Sequence, residues 1–197
     1  MWESNERSNC KLTKKVYITN SSGGAGKDTF ASMIDKYIPT LKYSSIDLVK
    51  EMYEYIGIER EPKDEKKRKL YSDTKDILTR YDDIPFKDIA SVVEDFKNGR
   101  FDDSKVLFID IREPEEIARA VEVFGAKTIL MKNPKVEKIT SNHADANVEK
   151  YEYDYIIEND GTLKQLEKVA KIFVHDIICE NHIPDNHKPF TLTCSKF

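Results

Sequence analysis

Glycine is scarce in this sequence, and where it occurs it is clustered. Only 7 of the 197 residues are glycine, about half of the share of roughly 7% that is usual in proteins. Three of them, Gly23, Gly24 and Gly26, fall within one short segment. Because glycine lets a backbone turn sharply and approach other groups closely, we expect this segment to have a special task.

Long apolar runs are also missing. No stretch of about 18 apolar residues exists, and the mean hydropathy is -0.61, so the composition excludes an integral membrane protein. The polar start of the sequence contains no apolar signal region. We therefore expect a cytoplasmic protein with no membrane partner.

Paired cysteines and an excess of basic charge are absent as well. Cys10, Cys179 and Cys194 are far apart and form no C-x-x-C pair, so they predict neither a disulfide framework nor a zinc site. The net charge of -4 provides no overall positive field, and we expect no nucleic-acid partner.

What the sequence does contain is an alternation of apolar runs with amphipathic stretches. Strands are predicted at 15–19, 41–44, 105–110, 126–131 and 153–158. Helices are predicted at about 30–37, 46–56, 64–80, 86–98, 114–124 and 162–179. Ser44 or Ser45 is the expected cap of the second helix. This order predicts an α/β fold of three layers, in which helices flank a central parallel sheet.

The glycine cluster lies between the first predicted strand and the first predicted helix. It consists of Ser22, Gly23, Gly24, Ala25, Gly26, Lys27, Asp28 and Thr29. A loop in this context can wrap its backbone N–H groups around a phosphate, and the start of the helix adds donors and partial positive charge. Lys27 would supply a mobile cation for the β- and γ-phosphates. We expect this segment to bind ATP; an ordinary glycine-rich turn is the alternative.

Three segments resemble one known family. Ser21 to Thr29 (SSGGAGKDT) looks like the G-x-x-G-x-G-K-x-T loop of the P-loop nucleoside and deoxynucleoside monophosphate kinases, which are related to dephospho-CoA kinases and phosphomevalonate kinases. Asp110 to Glu116 (DIREPEE) is similar to the D-x-R-x-x-x-E segment of that group. The turn Asn159-Asp160-Gly161 resembles the turn after the last strand of the family.

The resemblance implies one P-loop kinase domain over residues 1–197. Its core would comprise 15–44 and 100–179, with a helical acceptor-binding lobe at about 45–99. A short lid is expected at about 132–150 and a tail at 180–197.

Phosphoryl transfer needs aligned phosphates and neutralised charge, which suggests roles for single residues. Lys27, Asp110 and Arg112 are the expected catalytic residues, and Mg²⁺ is expected at Asp110 with Thr29 and Asp28. Two simpler roles stay open: Asp110 as the cap of the next helix, and Arg112 as the surface partner of Glu116.

The same resemblance places the adenine of ATP at Asn159 and Gly161. A helix start capped by Thr162 is compatible with that role.

The acceptor side is expected in the helical lobe. Pro62–Arg80 contains seven basic and four acidic residues, a local excess that attracts an anion unless it is only a solvated helix face. Arg68 and Arg80 are the expected phosphate clamps, because a guanidinium binds phosphate in bidentate fashion. The resemblance adds Asp47 and Lys50 to the acceptor site.

Three departures from the family pattern bear on catalysis. Ser21 stands where the loop has its first glycine, Asp28 stands where a P-loop commonly has a hydroxyl, and the lid at 132–150 contains lysines but no arginine. The leading hypothesis is an ATP- and Mg²⁺-dependent kinase acting on a nucleoside or deoxynucleoside monophosphate. Dephospho-CoA or another phosphomonoester is an alternative acceptor, and a non-catalytic nucleotide-binding relative is the alternative class. The oligomeric state is left open.

Overall fold

A computed structural model describes residues 13–62, 64–101, 103–136, 148–179 and 189–197. The strands are β1 (Lys15–Ser21), β2 (Thr40–Ser44), β3 (Val106–Asp110), β4 (Lys127–Lys132), β5 (Tyr155–Glu158) and β6 (Phe190–Thr193). The helices are α1 (Lys27–Asp35), α2 (Asp47–Tyr55), α3 (Glu65–Asp82), α4 (Ile84–Lys97), α5 (Pro114–Phe124) and α6 (Leu163–Ile172). The five strands predicted from the sequence are confirmed to within about two residues at their ends.

All of these strands are parallel and form one sheet in the order β2-β3-β1-β4-β5-β6. Parallel neighbours need long crossover connections, which explains why strands and helices alternate along the chain. β1 lies between β3 and β4, and Thr19 of β1 is paired with Asp110 of β3. The expected α/β fold, a central parallel sheet flanked by helices, is confirmed.

Two separate apolar layers cover the two faces of the sheet. Successive side chains of a strand point to opposite faces, so Tyr17 packs in one layer and Ile18 in the other. α1 and α6 cover the face of Tyr17, for example through Phe30 and Val169. α4 and α5 cover the other face. Because β3 is covered on both sides, it is apolar up to Asp110, whereas β1 is apolar at 16–18 and ends in the buried polar residues Thr19, Asn20 and Ser21.

α2 and α3 contribute little to these layers. α2 buries only Val49, and α3, although it is 18 residues long, buries only Tyr71. The two helices contact each other through the rings of Tyr53 and Tyr71, whose centroids are 5.5 Å apart. α4 behaves differently, because its buried face joins the sheet layer. The segment expected to form the lobe, 45–99, therefore contains two helices that bury one side chain each, α2 and α3, and one helix that belongs to the core, α4.

β5 is not the last strand, and on this point the sequence pattern is wrong. β6 lies beside it, with Tyr155 paired with Phe190 and Glu158 with Thr193. A four-residue strand of which only Leu192 and Thr193 are buried gives almost no periodic signal. Part of the segment expected to be a simple tail is thus built into the sheet.

Two details at helix ends also differ from expectation. Neither Ser44 nor Ser45 caps α2: its N-cap is Ile46, which makes no capping hydrogen bond. The helix expected at 162–179 is α-helical only to Ile172 and continues as a π-helix at Phe173–Cys179. Thr162 does cap α6, in a reciprocal capping box with Gln165.

Within the described ranges, no helix combines the length and the apolar character needed to cross a membrane.

Candidate functional site

The glycine-rich segment connects β1 to α1 at the carboxyl edge of the sheet. The connection that leaves β1 runs to β2 on one side, whereas the connection that leaves the neighbouring β4 runs to β5 on the other. Open parallel sheets bind ligands in the crevice at such a point. Because α1 begins at Lys27, the loop and the helix N-terminus meet at this crevice.

Gly26 holds a position that no other residue type fits. Its φ is +97°, a conformation that L side chains rarely adopt. A Cβ here would lie 2.5 Å from Nδ2 of Asn159. That amide donates a hydrogen bond of 3.0 Å to the carbonyl oxygen of Ala25. This hydrogen bond connects the loop to the turn after β5. Asn159 belongs to that turn and is one of the two residues expected to contact the adenine.

Lys27 and Asp110 form an ion pair between Nζ and Oδ2. The hydroxyl of Thr19 donates to the other carboxylate oxygen, Oδ1. The side chains of Lys27 and Asp110 remain 21% and 28% exposed, so both charges are accessible from solvent. Asp110 does not cap the following helix, because the N-cap of α5 is Glu113. Two expected catalytic residues that are distant in sequence therefore meet beside the loop.

The other two expected metal residues face outward. Asp28 and Thr29 lie exposed on the first turn of α1. The carboxylate of Asp28 pairs with Nζ of Lys42 at 3.3 Å, and its side chain is 78% exposed. Sequence reasoning missed Lys42, the exposed central residue of β2.

The described residues contain no group of three His, Cys, Asp or Glu side chains placed to hold a metal ion. Mg²⁺ that is bound between phosphates needs only one or two carboxylates from the protein. Asp110, hydrogen-bonded and partly exposed beside the loop, fits that requirement.

Asn20 fixes the backbone next to the loop. Its Nδ2 donates to the carbonyl oxygen of Arg112 at 3.1 Å and to the hydroxyl of Tyr153 at 2.8 Å. Its Oδ1 accepts from the N–H of Ser21 at 2.8 Å. Burial raises the pKa of Tyr153 to about 12, although the amide of Asn20 acts in the opposite direction. The network sets the backbone of Arg112, whose side chain is exposed.

Ser21 is the last residue of β1, buried and paired with Met131. It therefore belongs to the sheet, and the turn of the loop begins only after it. Its place in a strand explains how the loop forms without a glycine at this position.

The C-terminal residues pack against the turn Asn159–Gly161. Ser195 donates to the carboxylate of Asp160 from its N–H at 2.8 Å and from its hydroxyl at 2.5 Å. These bonds lower the pKa of Asp160. A Cβ on Gly161 would lie 2.9 Å from Cβ of Cys194. Burial raises the pKa of the Cys194 thiol. Sequence reasoning missed this support, since nothing in the segment suggests contact with the site.

Asp47 and Lys50 stand at the same edge of the sheet, beyond β2. Asp47 accepts from the N–H of Ser44 at 2.8 Å and pairs with Nζ of Lys50 at 2.6 Å. Ser44 is paired with Asp110 across the strands, and the N–H of Ser45 donates to the carbonyl oxygen of Asp110 at 3.1 Å. The expected acceptor residues of α2 therefore adjoin the Lys27–Asp110 pair.

Lys75 of α3 reaches this edge, and it was not among the residues singled out from the sequence. Its Nζ lies 2.6 Å from Oε2 of Glu116 and 3.1 Å from Oγ of Ser45. The side chains of Lys75 and Glu116 are only 15% and 16% exposed. A shared helix face with Tyr71, one turn away, is the signal that distinguishes Lys75 from its basic neighbours.

Arg68 and Arg80, the expected phosphate clamps, are exposed on α3. Arg68 is seven residues before Lys75 and so lies on nearly the same helix face, whereas Arg80 lies on another. Most of the expected lid, 137–147, lies outside the described residues. The arginine-free lid therefore stays a prediction.

The sequence matches no protein-family model and no curated protein. Among solved structures, the chain is similar to a sugar kinase from Janibacter sp. HTCC2649, with a TM-score of 0.48 and 12% identity over 85% of this chain and 97% of that one. It is also similar to a dephospho-CoA kinase from Campylobacter jejuni, with a TM-score of 0.44 and 17% identity over 84% and 98%.

Proposed function

We propose that this chain is an ATP-dependent phosphotransferase whose acceptor is a small molecule that already carries a phosphate. A nucleoside or deoxynucleoside monophosphate is the acceptor that the sequence resemblance favours. One observation carries the proposal: the loop at residues 22–29 lies at the carboxyl edge of the sheet, with Lys27 beside the carboxylate of Asp110.

The geometry of the loop supports a donor side for ATP. Backbone N–H groups of the loop and the start of α1 would receive the phosphates. Lys27 would exchange its contact with Asp110 for oxygens of the β- and γ-phosphates. Asn159 and Gly161 would line the base.

The transfer itself asks little covalent chemistry of the protein. With a nucleoside monophosphate as acceptor, the bond between the γ-phosphorus and the bridging oxygen of ATP breaks, and a bond forms to an oxygen of the acceptor's phosphate, with ADP leaving. Lys27 and Arg112 would stabilise charge on the transferring group. Mg²⁺, when bound with ATP at Asp110, would neutralise further phosphate charge. Asp28 and Thr29 would join that ion only through intervening water, given their outward positions.

A panel of acceptors tests the proposal. ATP consumption is measured with ribo- and deoxynucleoside monophosphates, dephospho-CoA and simple phosphomonoesters, with and without EDTA. We expect turnover with at least one phosphate-bearing acceptor, and its loss in EDTA. Consumption of ATP that no acceptor stimulates would refute a kinase function.

The second candidate is a nucleotide-binding relative without transferase activity. The pairing of the exposed Asp28 carboxylate with Lys42 is the observation that favours it, because this carboxylate already has a cation as its partner. This candidate predicts ATP binding by calorimetry with no product from any acceptor. The same panel therefore separates the two functions.

A further inference from the structure

The most shielded part of the acceptor edge is the contact among Lys75, Glu116 and Ser45. The Lys75–Glu116 pair is less exposed than the Lys27–Asp110 and Lys50–Asp47 pairs. A shielded ammonium without a partner is costly, so the carboxylate of Glu116 holds the Lys75 side chain in place.

This contact stands beside the proposed transfer site. Ser45, whose hydroxyl accepts from Lys75, donates its own N–H to the carbonyl oxygen of Asp110 at 3.1 Å. Glu116 is in the first turn of α5, just after Arg112. The ammonium of Lys75 thus lies over the carboxyl edge of β2 and β3.

Other lysines of α3 are directed elsewhere. Lys69 pairs with Asp73 on its own helix, and Lys67 donates to the carbonyl oxygens of Glu59 and Pro62. Lys75, by contrast, bonds to groups that follow β2 and β3. It is therefore the α3 cation best placed to meet a ligand at the sheet edge.

A second observation points to a ligand at the same helix face. Tyr71, one turn before Lys75, is buried, and its hydroxyl has no hydrogen-bond partner within the described ranges. Buried hydroxyl groups almost always have a partner. An oxygen-rich ligand bound beside Lys75 would supply one.

We propose that Lys75 binds the phosphate of the acceptor and that Tyr71 donates to the same ligand. Glu116 pairs with the ammonium of Lys75 until the acceptor binds. The phosphate of the acceptor, a dianion, then replaces the Glu116 carboxylate as the partner of Lys75. This inference rests on the proposed function and deepens it, since it makes a phosphomonoester group the feature that an acceptor must have.

The test compares four variants: Lys75→Met, Lys75→Arg, Glu116→Gln and Tyr71→Phe. Lys69→Met is the matched control, because it removes an exposed lysine–carboxylate pair from the same helix. The KM for acceptor, the KM for ATP and kcat are measured for each, with a thermal melt to verify folding.

Lys75→Met is expected to raise the KM for acceptor about tenfold or more, as loss of a charge-assisted hydrogen bond does. The KM for ATP should stay unchanged, and Lys75→Arg should restore much of the loss. Glu116→Gln should lower the KM for acceptor, because it removes the competing carboxylate. Tyr71→Phe should raise it several-fold without loss of thermal stability.

A purely structural contact behaves differently. It would make Lys75→Met and Glu116→Gln shift the KM for acceptor and the KM for ATP together, in the same direction. That outcome, or an unchanged KM for acceptor in Lys75→Met, would overturn the inference.

A binding measurement keeps this result separate from the proposed function. Inorganic phosphate is titrated calorimetrically into Lys27→Ala and into the double variant Lys27→Ala/Lys75→Met. Weaker binding in the double variant supports Lys75 as a phosphate ligand even if no acceptor turns over. Equal binding in the two proteins would refute it, whatever the wild type catalyses.

Discussion

The proposed donor side and the proposed acceptor side of this molecule are held in different ways. Around the glycine loop, Asn20, Asn159 and Asp110 each bond to another strand or loop, so the parts of the donor side fix one another. On the acceptor side, α3 buries a single side chain, and its ties to the sheet edge run through Lys75. If the proposed function is right, a donor side with more internal hydrogen bonds than the acceptor side would keep ATP in place while the acceptor helices adjust.

Removal of the loop cation is the most severe way to disturb the donor side. Lys27→Ala is expected to lower kcat by about a hundredfold or more, since it deletes charge stabilisation at the transferring phosphate. The fold should survive, because the side chain is partly exposed and adds charge rather than packing. Lys36→Ala, which changes an exposed lysine just beyond α1, is the control. Full activity of Lys27→Ala would disprove the loop assignment.

Disruption of the contact between the glycine loop and the turn at Asn159 is expected to have the next largest effect. Gly26→Ala places a methyl group against Nδ2 of Asn159 and forces an unfavourable φ, so we expect the KM for ATP to rise about tenfold. Gly57→Ala carries a similar strain, at φ +88°, with nothing within 4 Å of the new Cβ. If both variants bind ATP equally well by calorimetry, the contact with Asn159 has no functional weight.

Loss of the hydrogen bonds between Ser195 and the turn at Asp160 is expected to have a smaller effect on ATP binding. Ser195→Ala removes one of two bonds to Asp160 and is expected to raise the KM for ATP several-fold, with the KM for acceptor unchanged. Lys196→Ala is the neighbouring control. Equal shifts of both KM values would assign Ser195 to stability alone.

The pH dependence of this support has a definite sign. Because the folded-state pKa of Asp160 is lowered, its bond to Ser195 stabilises the fold above the ordinary aspartate pKa of about 3.9 and is lost as pH falls through the lower value. The difference in melting temperature between wild type and Ser195→Ala should therefore be full at neutral pH and vanish in strong acid.

The smallest effects are expected on the outer surface of α3. Arg68→Met should raise the KM for acceptor by about two- to threefold, because Arg68 shares the face of Lys75, and Arg80→Met should have no measurable effect. Equal losses in both variants would show that the whole charged helix attracts the acceptor and that no single face does.

The sequence singles out more residues of the proposed donor side than of the proposed acceptor side, for a physical reason. A phosphate loop needs particular residues at consecutive positions, so Gly26 and Lys27 are visible in the sequence itself. The choice of Lys75 among seven basic residues depends on which face of α3 meets the sheet, and that face is marked only by Tyr71. β6 and Ser195 were missed because a short edge strand and a polar turn carry no periodicity. Contacts between distant segments, such as Asn159 with Ala25, follow from the fold alone.

The dependence of the turn Asn159–Gly161 on Ser195 has a consequence for synthesis. Chains are made from the N-terminus, and domains fold as units during that process. The glycine loop precedes Ser195 in the sequence and therefore leaves the ribosome before it. A growing chain therefore contains the loop proposed to bind the phosphates before it contains Ser195, which supports the turn proposed to bind the base. We expect full affinity for ATP only when β6 and the residues after it have been added.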